Sequence, residues 1–432
     1  MRLAWVTPFG SRSAIGRVSA AATRELSARG HEVKIVRSER NRSHSDLVHR
    51  TGLPVLWWHD ILPADLMAQN DAVIVNLGDN YNLHAGILRF TDAIPCLGIF
   101  HDYYLHNFFR AWVAEDSRPE ARFEIEAIRT YGEGARATAR AAWRGEAGIE
   151  QISAHLPMTE WMAGRCDAAL AHANFYLDRL SAACPGPIAV TPLYYEGRGV
   201  PPLTVRGGEE VTILTAGVLN SNKCADVVIS AIAGSPFLRG RCRYRLVGSI
   251  SESEKSRLQD LCQRLDLDTV SFLGEVDDTT LAAELERADI IAGLRKPVLE
   301  GASASAIEGM LAGRPVIVAD AGFCSELPDE LVFKVARSVE VSAVSEVLGR
   351  LVSSEPLRRE IGNRAREWAV LAFGAEQYVN ALEALIADFV AAGPLLGLGH
   401  RIGVQLANLG VAADDPAVGR IARTMQDLFP RT

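Results

Sequence analysis

Residues 288–328 read ADIIAGLRKPVLEGASASAIEGMLAGRPVIVADAGFCSELP. The segment opens with an apolar run, Ile290–Leu294, that ends in a basic turn, Arg295-Lys296, and then in Glu300-Gly301. Small residues follow, Ala302-Ser303-Ala304-Ser305, and then a helical pattern with Ile307, Met310 and Leu311 on one face. Gly313 stops that helix, and Pro315–Ala319 reads as a buried strand. In an open α/β sheet, ligands bind outside the carboxyl ends of the strands. Glu300 and Glu308 flank such a place, and the free N–H groups of a helix start favour an anion there.

Working outward, the same alternation recurs. Val211–Ala216 reads as a strand, followed by the turn Gly217-Val218-Leu219-Asn220-Ser221-Asn222-Lys223 and a helix over Ala225–Ala233. Arg243–Val247 and Val270–Leu273 are further strands, separated by a helix over Ser253–Leu265, with another helix at Thr280–Arg287. Val332–Val335 is a short strand, and helices over Val341–Leu351, Leu357–Ala372 and Phe373–Ala391 follow. Towards the N-terminus, Leu3–Val6, Glu32–Val36, Asp71–Asn76, Cys96–Phe100, Asp167–Ala173 and Ile188–Val190 read as strands. A loop holding Gly10 and Gly16 precedes a helix over Arg17–Arg29; it lacks G-x-G-x-x-G, so it is not the dinucleotide fingerprint. Polar residues cluster past strand ends, among them Asn76, Asp79, His101 and Asp102, as at the lip of a cleft. Pro192–Glu210, rich in Gly and Pro, is the best linker.

The expected fold class is therefore α/β, with two Rossmann-like doubly wound domains facing a cleft. The domains are expected at 1–195, with a charged, exposed helical insertion at about 115–154, and at 196–372. Residues 373–432 are expected to be terminal helices. At 432 residues the chain is too long for one ordinary core. A net charge of −8 weighs against a nucleic-acid partner. The first fifty residues are nevertheless basic, which suits either an anionic surface or a solvated face. The seven cysteines are scattered and never form C-x-x-C, which argues against a disulfide framework or a zinc site. No signal peptide precedes the first strand, and no run approaches the ~18 apolar residues of a membrane span. A cytoplasmic protein is expected, with room for peripheral contact at the inner face of a membrane.

The chemistry rests on few residues. Lys223, after a strand turn, can meet an anion or lie on the surface. Glu300 can accept from sugar hydroxyls, and Glu308 can hold the two hydroxyls of a ribose. Ser305 and Glu308 also match S-x-x-E, a helix capping box. Ser303 and Ser305 suit either phosphate binding or capping. His101 and Asp102 suit either the cleft or a cap on the next helix. The sequence contains no G-x-S-x-G, H-E-x-x-H or G-x-x-x-x-G-K-[ST].

Together these parts resemble the group 1 family of retaining nucleotide-sugar glycosyltransferases, with the two-domain GT-B architecture, which implies that the helices of residues 373–432 cross back to pack on the first domain. EGASASAIE, Glu300 to Glu308, resembles the family's E-x7-E motif, followed by MLAGRPVIV and Glu326-Leu327-Pro328. TAGVLNSNKCAD resembles its Gly-Arg-x-x-x-x-Lys phosphate turn, and NLGDNYNLH and GIFHDYYLHNFF resemble acceptor-half segments. The resemblance implies that Glu300 contacts the donor sugar and Glu308 the ribose. It implies a diphosphate site made by Lys223, Gly217 and Asn222, with backbone and hydroxyls of Gly301, Ala302, Ser303 and Ser305. His101 would approach the donor sugar, Asp102 the acceptor, and the loop to Gly16 the diphosphate or acceptor. Val218 stands where the family carries Arg, and Arg295 is the candidate to supply that charge. No metal and no cofactor are expected. The implied activity is retaining transfer from a nucleotide diphosphate sugar to a hydroxyl of a glycan or lipid-linked acceptor, in polysaccharide or glycoconjugate synthesis. A nucleotide-sugar epimerase and a non-catalytic nucleotide-sugar-binding subunit are the alternatives.

Overall fold

Leu3, Ala4, Trp5 and Val6 are all buried, although neighbouring side chains in a strand point to opposite faces. Burial on both faces is the signature of a parallel strand covered by helices on either side. The computed structural model describes residues 1–42, 47–203, 210–411 and 415–428, and it contains two such sheets. Residues 204–209 of the expected linker, and residues 412–414 and 429–432 of the expected terminal helices, lie outside the described residues.

The first sheet comprises Arg2–Thr7 (β1), Glu32–Arg37 (β2), Val55–Trp57 (β3), Ala72–Leu77 (β4), Leu97–Phe100 (β5), Ala168–Ala171 (β6) and Ile188–Val190 (β7). Its order is β3-β2-β1-β4-β5-β6-β7, all parallel. The second comprises Val211–Ala216 (β8), Cys242–Val247 (β9), Val270–Gly274 (β10), Ile290–Ala292 (β11), Val316–Ala319 (β12) and Phe333–Val335 (β13). Its order is β10-β9-β8-β11-β12-β13, again parallel. Strand order reverses between β1 and β4 in one sheet and between β8 and β11 in the other. Those switch points are where an open parallel sheet leaves a crevice at its carboxyl edge.

Three features depart from the sequence reading. β3 was not expected: it is a three-residue edge strand with Val55 and Leu56 half exposed, too short to show a pattern. The insertion is anchored rather than simply exposed. Helix Pro119–Tyr131 buries Phe123 against Phe109, with ring centroids 5.0 Å apart. The third is the helix Ala375–Asn408, which continues through Pro394. By length and composition the helical stretch reaching Gly403 is apolar enough to cross a membrane, whereas the sequence reading found no such run. Its first half is nevertheless core. Tyr378, Val379, Leu382, Leu385, Ile386 and Phe389 pack beneath Leu3, Trp5, Leu26, Ile74, Leu97 and Leu170 of the first domain. Each such buried side chain contributes about 1.5–3 kcal/mol, so the helix ties the chain's end to its first sheet.

The arginines of the first fifty residues are largely neutralised in place. Arg2 pairs with Asp71, Arg24 with Glu196, Arg29 with Glu383, Arg40 with Glu115 and Arg42 with Asp60. The basic run read in the sequence is therefore interleaved with carboxylates from distant segments.

Candidate functional site

The two carboxyl edges meet through backbone. Gly301 N donates to His101 O at 2.8 Å, Tyr104 N donates to Leu299 O at 2.8 Å, and Asp102 and Glu300 form an antiparallel bridge. A second clasp joins the domains where the Glu326 carboxylate accepts from Asn174 N (2.9 Å) and Phe175 N (2.8 Å). The loop after β11 is thus held against the loop after β5.

On the second domain, the turn after β8 brings a cation under that loop. Gly217 has φ 108°, and a Cβ there would lie 2.9 Å from Lys223 Nζ, so glycine lets the lysine fold back. Nζ donates to Ala216 O at 3.0 Å. Burial pushes the Lys223 ammonium down to about 7, and the Arg295 charge adds to the effect while Glu300 opposes it. Asn222 locks the arrangement, its side chain donating to Pro297 O and its carbonyl accepting from Lys296 N at 2.9 Å.

Arg295 is buried and fully engaged. Its guanidinium donates to Glu300 Oε1 (2.8 Å), Ser305 Oγ (2.8 Å) and Leu294 O (2.7 Å). Burial alone would raise the Glu300 carboxyl, but Arg295 and Lys223 outweigh it and hold it below the usual range. Ser305 lies inside helix Ala304–Leu311 and binds Arg295, so the capping-box alternative for Ser305 and Glu308 does not hold. The N-cap of that helix is Ser303, which makes no side-chain cap; its buried hydroxyl lies against the Glu300 carboxylate and helps hold it below the usual range. Ala302 is buried beside it. The Gly301 N–H, expected at the donor, is spent on His101 O in this structure. The cavity among Arg295, Glu300, Ser303 and Phe323 is about 10 Å³, smaller than a sugar.

Glu308 lies on the helix that follows, only 8% exposed at its side chain. Its Oε1 accepts from Arg198 Nε, and Arg198 Nη1 also donates to Asp278 Oδ1 at 2.6 Å. Arg198 and Asp278 were not singled out from the sequence. An Arg in a Gly-rich linker and an Asp at a helix start carry no pattern that announces them.

On the first domain, His101 is buried, with Nε2 3.0 Å from Asn76 Oδ1 and Nδ1 3.3 Å from His172 Nε2. Burial, and the neighbouring His172, push His101 well below its ordinary value. Its imidazole therefore points into the domain, and its carbonyl accepts from Gly301 N in the loop after β11. Asp102 does not cap the next helix. Its Oδ2 accepts from Asp79 N at 2.8 Å, while Asp79 accepts from Phe108 N at 3.0 Å and so covers that helix start itself. Burial raises the Asp102 carboxyl to about 7, with the Glu300 charge adding to it against the Asp79 amide. Gly16 sits in the first turn of helix Ala14–Ala28, its N–H held by Ser13 Oγ at 2.9 Å. In front of it, Gly10, Ser11, Arg12, Ser13 and Glu39 line a cavity of about 430 Å³. Among the described residues, no group of three His, Cys, Asp or Glu could hold a metal ion.

Residues 204–368 match the family model for glycosyl transferases group 1. An MMP alpha-(1->4)-mannosyltransferase of Mycolicibacterium hassiacum is 32% identical over 130 residues, which span 29% of this chain and 31% of that relative. Among solved structures, sucrose-phosphate synthase from Thermosynechococcus elongatus superposes with a TM-score of 0.63 at 16% identity, covering 91% of this chain and all of the other. Anabaena HepE in complex with UDP-glucose gives 0.62 at 14% identity, covering 91% of this chain and all of the other. At such identities the structural likeness speaks for the fold.

Proposed function

We propose that the protein, whose residues 204–368 match the group 1 glycosyltransferase model and whose fold is that of GT-B enzymes, transfers a sugar from a nucleotide diphosphate donor to a hydroxyl with retention of configuration. The observation that carries this reading is the grouping at the switch point of the second sheet. Lys223 and Arg295 surround Glu300, and Glu308 lies one helix turn and a loop beyond. That HepE was solved with UDP-glucose supports a nucleotide-sugar donor here.

In this reading Glu308 binds the ribose and Glu300 the donor sugar, while Lys223 meets the diphosphate. The C1–O bond to phosphate breaks, and a C1–O bond to the acceptor forms on the same face. The acceptor's proton passes to the departing phosphate oxygen, so the nucleoside diphosphate leaves carrying it. Cations stabilise the charge developing on that oxygen, which is the largest catalytic contribution such a site offers. No metal is invoked. The acceptor is a glycan or a lipid-linked glycan in polysaccharide or glycoconjugate synthesis. It enters by the 430 Å³ cavity of the first domain, with Asp102 on its side of the cleft. A cytoplasmic protein, touching the membrane peripherally, fits such an acceptor.

The test is nucleoside diphosphate release from UDP-, GDP- and ADP-sugars, alone and with saccharide acceptors, with the anomer of the product read by NMR. One donor is expected to turn over, with its anomeric configuration kept and no loss on chelation. Inversion would overturn retention, and loss on chelation would overturn metal independence. A second reading, a nucleotide-sugar-binding subunit without turnover, is favoured by Val218 at the phosphate turn; donor binding with no release under any acceptor would establish it.

A further inference from the structure

The groups around Glu300 leave little charge for a diphosphate. Arg295 spends its guanidinium on Glu300, Ser305 and a carbonyl, and Lys223 is buried, donating to Ala216 O. Val218, 63% exposed at the same turn, adds nothing. The next cation is Arg198. It lies on Glu308, the carboxylate that would hold the ribose, and it is 9% exposed at its side chain.

Arg198 stands in the way of that ribose. Its Nε lies on Glu308 Oε1, so two vicinal hydroxyls reaching both carboxylate oxygens would have to share that carboxylate with a guanidinium packed against it. The same guanidinium is anchored by Nη1 to Asp278, whose own side chain is 81% exposed. Arg198 can therefore leave Glu308 without leaving its other partner. Arg17 reaches the same Asp278 at 3.5 Å from the first domain, so the anchor lies where the domains meet. In a nucleoside diphosphate the first phosphate hangs one ribose away from the hydroxyls that Glu308 would take. A guanidinium displaced from Glu308 is within a side chain's swing of it, and its planar fork matches phosphate oxygens.

We infer that Arg198 is a donor-site residue that covers Glu308 in the free protein and passes to the donor's diphosphate when the ribose takes its place. The inference rests on the proposed donor site, and it assigns to a linker residue the charge that the turn at Val218 does not provide. It also makes donor recognition two-part: a nucleoside without phosphates must expel Arg198 and offers it nothing in return.

The test compares UDP, GDP and ADP, and the matching nucleosides, on wild type, Arg198→Ala and Arg198→Lys, with the fold of each variant checked by circular dichroism. Expected is a loss of ten-fold or more in diphosphate affinity for Arg198→Ala and a smaller loss for Arg198→Lys. The nucleoside should bind Arg198→Ala at least as tightly as wild type, because Glu308 is freed. Adding Val218→Arg to Arg198→Ala should restore part of the diphosphate affinity. If Arg198→Ala weakens nucleoside and diphosphate equally, or leaves the diphosphate unchanged, the inference is overturned while the donor site stands. If wild type binds none of the three diphosphates, the donor site itself is overturned, and this inference with it.

Discussion

Lys223 carries its ammonium in a buried position beside Arg295, and both burial and that neighbour bring it down to about 7. The charged form is therefore present below pH 7 and lost above it, while a bound diphosphate would favour the charged form and raise the value again. Affinity for the nucleoside diphosphate should fall as pH rises from 7 to 9, by up to about tenfold per unit, since a depressed cation must be reprotonated on binding. Calorimetry in two buffers of different ionisation enthalpy checks this: proton uptake at pH 8 is expected, and its absence would show that Lys223 stays away from the phosphates. Lys223, Glu300 and Arg295 could be picked from the sequence because each sits at a strand end or turn. The partner of Glu308 could not. Arg198 is 110 positions away along the chain, and no local pattern announces their meeting. The S-x-x-E spacing pointed to a cap because local pattern cannot show that Arg295 claims Ser305 first.

Elements were legible where both faces are buried. β8 and helix Ala225–Ala233 coincide with their reading because an unbroken apolar run followed by a glycine turn leaves few alternatives. β3 was not legible, since an edge strand of three residues with two half-exposed members has no period to detect. Nor was the bridge between the loop after β5 and the loop after β11, which depends on backbone rather than side chains. Its closeness makes a prediction. A Cβ on Gly301 would lie 2.7 Å from Tyr176 Oη, 2.9 Å from Phe100 O and 3.0 Å from His101 O. Two of those atoms are backbone of β5 and its end, so they give way poorly. Gly301→Ala should part the two loops, costing about 1–3 kcal/mol of stability as overpacking does. It should also lower donor turnover at least tenfold, read by thermal unfolding and product release. Unchanged values for both would mean the bridge is incidental.

At the scale of the whole molecule, two parallel sheets share one cleft, and helix Ala375–Asn408 returns the end of the chain to the first of them. The doubly wound halves followed from the order of strands and helices in the sequence. The return of terminal helices to the first domain was expected from the resemblance, but which residues make the contact was not legible: Leu382 and Ile386 lie beneath β1 and β4. Leu382→Ala should cost about 2–5 kcal/mol, as other fully buried leucines do, and should lower the melting temperature. A variant as stable as the wild type would place that helix elsewhere. The account stands or falls on Glu308, and the most direct measurement is calorimetric titration of UDP-, GDP- and ADP-sugars into wild type and Glu308→Ala. Binding of one nucleotide to the wild type and its loss in the variant is the predicted result. Equal binding to both, or binding of none, would contradict it.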